Sequence, residues 1–246
     1  MSILRVATIE PEGATTTLTL GASGDTVTSS ADSIKANTFK DAGGNTLWTS
    51  DGSGTLSSVN SGISSKGPQL ILSQTASSSS SISFTSGIDS TYDKYMFVLT
   101  DIRPDTDGTQ LTFQCSTDGG SNYNTNLTTT FFRSTHDEAG TATAFSYLSG
   151  EDQAGGTSYQ LLGEDGTPGI GNGADECLAG TMYLFDPSNT VQVKNFIIRS
   201  NYYQSNESTN ESDVAGFFNT TSAINAIDFK MASGTFNGKI TMWGVL

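Results

Sequence analysis

From residue 67 onward, large apolar residues return in short runs with a period of two, and this alternation narrows the fold of the chain more than any other feature. Ile82/Phe84, Tyr95/Phe97/Leu99 with Met96/Val98 opposite, and Leu111/Phe113/Cys115 each place like side chains on one face of an extended backbone. The same pattern recurs in Met182/Leu184 with Tyr183/Phe185 opposite, Val191/Val193, Phe196/Ile198, Ile227/Phe229/Met231 and Ile240/Met242. Between the runs stand Asp107-Gly108, Asp118-Gly119-Gly120, Gly155-Gly156, Asp165-Gly166, Gly171-Asn172-Gly173 and Asp186-Pro187, all of which favour tight turns. No window of about a dozen residues carries apolar side chains at helical spacing with caps at both ends. The pattern predicts an all-β fold, an antiparallel β-sandwich of jelly-roll type. Its central strands are expected over Lys94–Ile102, Glu176–Phe185 and Thr190–Ser200. The serine run 77–81 reads as a flexible turn between two strands, and Gly238–Leu246 as a paired strand.

The first quarter is different. Up to Lys66 the apolar pieces are brief (Leu18, Leu20, Val27, Ile34, Phe39, Leu47, Trp48, Leu56, Val59) and are separated by turn clusters such as Gly24-Asp25, Gly43-Gly44-Asn45 and Asp51-Gly52-Ser53-Gly54. Strands this short bury little area within one chain, so identical partners or a docking surface must offset their ordering entropy. Three chains intertwined about a common axis would supply them. A disordered linker is the bland alternative, against which Phe39, Leu47 and Trp48 weigh as candidate oligomer or anchoring contacts. Gly67-Pro68 is the expected boundary, giving an extended N-terminal arm over residues 1–66 and a sandwich head over 67–246.

Only 15% of residues are charged and the formal net charge is −14, so solubility rests on hydroxyl and amide groups. Such a chain lacks the clustered Lys and Arg that neutralise phosphates, which argues against nucleic acid and anionic lipid as partners. The stretch Met1–Glu10 has no long apolar core of a signal peptide, and no segment approaches the ~20 apolar residues that span a bilayer. Synthesis in the cytosol and no membrane insertion are the expectation. Cys115 and Cys177 then read as buried free thiols. With His136 the only histidine, a Cys/His zinc site cannot be assembled, and no cofactor is expected.

Catalytic constellations are weak. His136 lies in the polar stretch Arg133–Glu138 and reads as an exposed loop histidine, and acids such as Glu151-Asp152 and Glu164-Asp165 sit in turns, where a solvated carboxylate is the default. Asp101, Asp105 and Asp107 offer oxygens that calcium prefers, but Arg103 among them favours an ordinary acidic turn. Gly169–Gly173 reads as a flexible loop, since no helix follows to hold a phosphate. The segment Asn201–Ser212 is the one candidate ligand site: a polar loop led by Tyr202 and Tyr203, with Asn206 and Asn210 beyond. Flat aromatic rings stack on sugar C–H faces while amides bond hydroxyls, and the same mixture serves adaptable protein contacts. The alternative is a surface loop with one tyrosine tucked into the sandwich rim. Phe131-Phe132 reads as core or subunit interface.

Leu20–Thr28, followed by Phe39–Leu56, resembles the N-terminal arms of virion fibre and appendage proteins of tailed bacteriophages, especially those of marine bacteria and cyanobacteria. Ser81–Ile88 leading to Lys94–Leu99, then Asp118–Tyr123 and the closing Gly238–Gly244, is similar to the β-sandwich heads that follow such arms. The resemblance implies a homotrimer assembled in the host cytoplasm, an arm that docks on tail, capsid or another fibre, and a head exposed to host-surface glycan or to neighbouring virion proteins. A free-standing carbohydrate-binding module and a capsid decoration protein are the alternatives, and a depolymerase head is a further one.

Overall fold

A computed structural model of the chain describes residues 38–41, 43–53, 56, 57, 59, 60, 67–163 and 168–245, and every regular element among them is a strand. The chain divides into two compact units, Met1–Ser65 and Lys66–Leu246. Residues 1–37 of the expected arm, and the acidic pair Glu164-Asp165, lie outside the described residues.

In the first unit, β1 (Thr38–Lys40), β2 (Thr46–Ser50) and β3 (Leu56–Ser57) form a three-stranded antiparallel sheet. The β1–β2 turn closes on Asp41, whose carboxylate accepts hydrogen bonds from the backbone and side-chain N–H groups of Asn45. Phe39 and Trp48 are cross-strand partners and stack with ring centroids 3.9 Å apart, so each covers part of the other within the hairpin. Leu47, Phe39 and Trp48 are all half-buried.

The second unit is the expected sandwich. Its long sheet has nine strands. The main path runs β10 (Ala154–Gly156), β8 (Leu127–Asp137), β14 (Ser208–Phe218), β13 (Lys194–Gln204), β12 (Leu178–Phe185), β6 (Lys94–Pro104), β16 (Phe236–Val245) and β4 (Gln69–Ser79), with β9 (Thr143–Tyr147) also paired to β8. The short sheet has the order β11 (Gln160–Leu161), β7 (Leu111–Ser116), β15 (Ala226–Met231) and β5 (Ser81–Phe84). The pairing is nested: β4 pairs the last strand, β5 the one before it, β6 lies between β16 and β12, and β7 between β15 and β11. This is jelly-roll connectivity, with β13, β14 and β8 added beyond β12.

The core follows from the alternation. Phe84, Phe229 and Phe113 of the short sheet face Phe97, Phe196 and Phe218 of the long one, with neighbouring centroids 5.2–6.2 Å apart and mostly tilted or edge-on contacts. Cys115 is enclosed on this inner face, whereas Cys177, expected to be buried, is half-exposed just ahead of β12; both thiols are free. The outside of the short sheet is covered too. Gln114 donates to the carbonyls of Thr157 and Ser158, and Tyr159 donates to Asp228.

Several local expectations are corrected. The serine run belongs to strands: β4 continues to Ser79 and β5 starts at Ser81, with Ser78 in the left-handed region (φ 45°). Val191 and Val193 point to solvent ahead of β13, because Asn189 Oδ1 accepts from the backbone N–H groups of Val191 and Gln192 and turns the chain there. Ile170, in the stretch read as a flexible loop, is fully buried and bridges to Thr109 and Gln204. His136 is exposed as expected but lies in β8.

The largest correction concerns residues 201–212, which are a hairpin. β13 and β14 pair without a slip from Lys194↔Phe218 to Gln204↔Ser208, and the turn uses Ser205, Asn206 and Glu207, with Glu207 at φ 65°. A three-residue hairpin turn ending in a left-handed residue is common, but glycine is its usual occupant.

Candidate functional site

The long sheet turns one face to the short sheet; its other face is covered by no other element among the described residues of the second unit. Two of the sheet's bulges lie side by side and bend it. β6 carries one residue more than both of its neighbours at Asp101 (φ 52°), and β4 carries one more than β16 at Ser78. Both flank Gly238, where a Cβ would stand 2.6 Å from the Asp101 carbonyl oxygen, so no larger residue fits.

Beside the bend, on the outer face, lies a cleft of about 730 Å³. Small residues make its floor: Thr100 of β6 and Ala179, Gly180 and Thr181 of β12. Val98, Tyr183 and Ile197 form an apolar side, with Ile197 51% exposed. Tyr183 stacks on Phe185, and the Lys94 ammonium stands 5.7 Å from the Tyr183 ring centre. The polar side is a charge cluster on adjacent strands. Arg199 donates to Glu211 and lies 3.6 Å from Asp213, and the two carboxylates raise the guanidinium pKa. Two carboxylates against one guanidinium leave the cluster net negative, so it favours neutral or cationic ligands. A small-residue floor with an apolar side and a few convergent polar groups is the usual make-up of a binding cleft.

Along β13 the cleft runs into two smaller hollows. Asn201 donates to Thr209 Oγ1 at 2.8 Å, and Tyr203 donates its hydroxyl to Glu138 at 2.9 Å, with Glu207 at 3.3 Å. The hydrogen bond to Glu138 holds the phenol pKa well above its ordinary value. His136 closes this end. On the other side, Phe132, Phe145 and Tyr147 of β8 and β9 form an outward aromatic cluster, with Phe145 75% exposed. Phe131, its neighbour in sequence, is fully enclosed in the core.

The residues singled out in the sequence are split by this geometry. Strand alternation puts Tyr203 on the outer face but turns Tyr202 and Asn210 inward, where both are fully buried, and leaves Asn206 exposed at the turn. The four residues therefore make no single surface, as a loop would have allowed. Tyr183, Ile197, Arg199, Glu211 and Asp213 were not singled out. A hairpin centred on Asn206 would have found the last three, because it pairs Arg199 with Asp213 and Asn201 with Glu211.

Phe39, Leu47 and Trp48 lie in the first unit as described. In the acidic turn, Asp105 accepts from Thr235 and Asn237, Asp107 from the backbone of Asn172, and Asp101 pairs with Arg103 at 3.3 Å. The donors around Asp105 lower its pKa, so these carboxylates already have partners in the protein. Among the described residues, no three of His, Cys, Asp and Glu are grouped to hold a metal ion. No protein-family model, no curated protein and no solved structure matches the chain.

Proposed function

We propose that the chain is a structural, non-catalytic component of a tailed-phage particle: a short homotrimeric appendage whose residues 1–66 dock on the particle and whose head makes the outward contacts. The resemblance of the arm and head to virion fibre proteins supports the family, and the acidic, hydroxyl-rich composition suits an exposed particle protein. The observation that carries the binding role is the uncovered outer face of the long sheet, with its 730 Å³ cleft between Tyr183, Ile197 and the Arg199–Glu211–Asp213 cluster. Three such clefts held in fixed geometry convert weak single contacts into firm attachment. A net-negative cleft favours a neutral host glycan or a basic partner surface over a phosphorylated one.

The test combines location with adsorption. Labelled antibody and imaging of intact particles are expected to place the protein on the tail, the capsid or a fibre, and light scattering to give three chains. Particles carrying Tyr183→Ala together with Arg199→Ala should assemble normally and adsorb at least tenfold more slowly. A monomer absent from purified particles would overturn the virion role, and unchanged adsorption would overturn the role of the cleft.

A further inference from the structure

Residues paired across neighbouring strands point to the same face, so the register draws straight rows over the outer side of the long sheet. One row runs from Tyr147 through Phe132, Asp213, Arg199 and Thr181 to Val98, crossing β9, β8, β14, β13, β12 and β6. The row beside it holds Phe145, Ser134, Glu211, Asn201 and Ala179. At about 4.8 Å per strand the first row is roughly 24 Å long. The aromatic cluster on β8 and β9 and the cleft are therefore two ends of one track.

Folding alone does not account for the aromatic end. Phe145 is 75% exposed, with Phe132 and Tyr147 exposed beside it, so the three rings gain little from burial, and apolar exposure grouped in this way marks a contact surface. The rings hold one another in place. Phe132 and Phe145 lie within 13° of parallel with centroids 6.1 Å apart, Tyr147 meets Phe132 edge-on at 5.1 Å, and the Tyr147 hydroxyl donates to Asp152. Between these rings and the cleft the side chains are short, as in Ser134, Thr181 and Ala179, or carry charge of both signs. Arg199, its side chain 67% exposed, stands mid-track beside Glu211 and Asp213. A cationic peptide laid along the track would meet the guanidinium, and an anionic ligand would meet the two carboxylates.

We infer that this track binds a linear, uncharged oligosaccharide several rings long, lying across the strands with one end stacked on Phe132 and Phe145 and the other in the cleft. Sugar rings offer C–H faces to aromatic side chains and hydroxyls at their edges, and carboxylates, hydroxyls and a guanidinium supply both acceptors and donors for those hydroxyls. Such a ligand collects contacts from several strands, none of them strong alone. The inference rests on the reading of the cleft as a binding site and adds the class of ligand, its direction and a second contact region.

The test titrates the full chain calorimetrically with maltohexaose, cellohexaose, laminarihexaose and xylohexaose, and with the disaccharides of the same linkages. At least one hexasaccharide is expected to bind, roughly tenfold more tightly than its disaccharide, because the longer ligand reaches both ends of the track. Phe145→Ala and Tyr183→Ala, at opposite ends, should each weaken that binding about tenfold, the loss of one ring contact. Phe145 is so exposed that its removal should leave Tm at the parent's value, and Val191→Ser, which removes a similarly exposed apolar side chain elsewhere, should bind as the parent does. Equal affinity for hexasaccharide and disaccharide, with Phe145→Ala binding like the parent, would confine the sugar to the cleft; the track would fall and the cleft would stand. Silence from all four hexasaccharides would also overturn the inference, while the cleft itself would still be judged by the adsorption of particles carrying Tyr183→Ala with Arg199→Ala. Binding of hexalysine in place of the sugars would overturn it too and would name a basic partner.

Discussion

β13, β14 and β8 bury two different interiors along their lengths. At one end Phe196, Ile198, Val214, Phe218 and Phe131 meet the aromatic face of the short sheet; at the other Ser200, Gln204, Ser208, Asn210 and Ser212 are equally enclosed. Area removed from water stabilises the first end, at about 25 cal/mol per Å² of apolar surface. The second rests on specific partners: Gln204 on the Pro168 carbonyl, Ser200 on the Leu162 carbonyl, and nearby Gln160 on Thr129 and on the carbonyls of Glu151 and Leu161. An interior of the first kind loses most when volume is removed. One of the second kind loses most when a single bond is left open.

The sharpest way to break this contrast is Phe113→Ala. Phe113 touches Phe196, Phe218 and Phe229 at centroid distances of 5.2–6.3 Å, and its removal leaves a ring-sized cavity. A loss of about 3–5 kcal/mol is expected in denaturant unfolding. A loss below that of any single polar change would show that the aromatic end is not the stronger one.

Alkali should distinguish the polar end next. Burial, the dominant cause, pushes the Tyr202 phenol from 10 up to about 12. The unfolded chain therefore releases this proton first, and the stability Tyr202 contributes is complete below pH 10 and lost as pH climbs towards 12. The two-unit difference corresponds to about 2–3 kcal/mol. Tyr202→Phe should flatten that part of the fall in Tm between pH 9 and 12; a curve parallel to the parent's would show that Tyr202 takes no part.

The smallest expected effect is that of Gln204→Ala, about 1–2 kcal/mol, because it strands the Pro168 carbonyl. Its signature is local. The backbone N–H of Ile170, bonded to the Thr109 carbonyl, and that of Gly171, bonded to Tyr203, should exchange with solvent faster, while the amides of β15 should not change.

The same contrast explains what could be read in the sequence. Wherever the buried position of an alternating pair is apolar, as in Tyr95/Phe97/Leu99 or Ile227/Phe229/Met231, the strand and its inward face are legible. β14 alternates just as strictly, but Ser208, Asn210 and Ser212 are its inward residues, and hydropathy cannot tell them from a solvated loop. Its turn hides as well, since Glu207 holds a conformation that glycine would have announced. Val191/Val193 fails in the opposite sense: the residues alternate, yet both are exposed. The outer cleft depends on which residues face each other across β12, β13 and β14. That information exists only once the register is known.

The nested pairing also governs the order in which the head can be made. Within the sandwich β4 is synthesised first, yet its partner β16 follows all the other sandwich strands, so β4 and the β16-facing edge of β6 wait unpaired while the rest of the sandwich is made. Meanwhile β12, β13 and β14 follow one another directly and can zip together from local turns. Ribosome-bound chains stopped before Phe236 should hold that meander and still expose two sticky edges. For a protein of this build, the dangerous interval lies before the final ten residues of β16 arrive, and crowding of nascent chains is when mispairing is most costly.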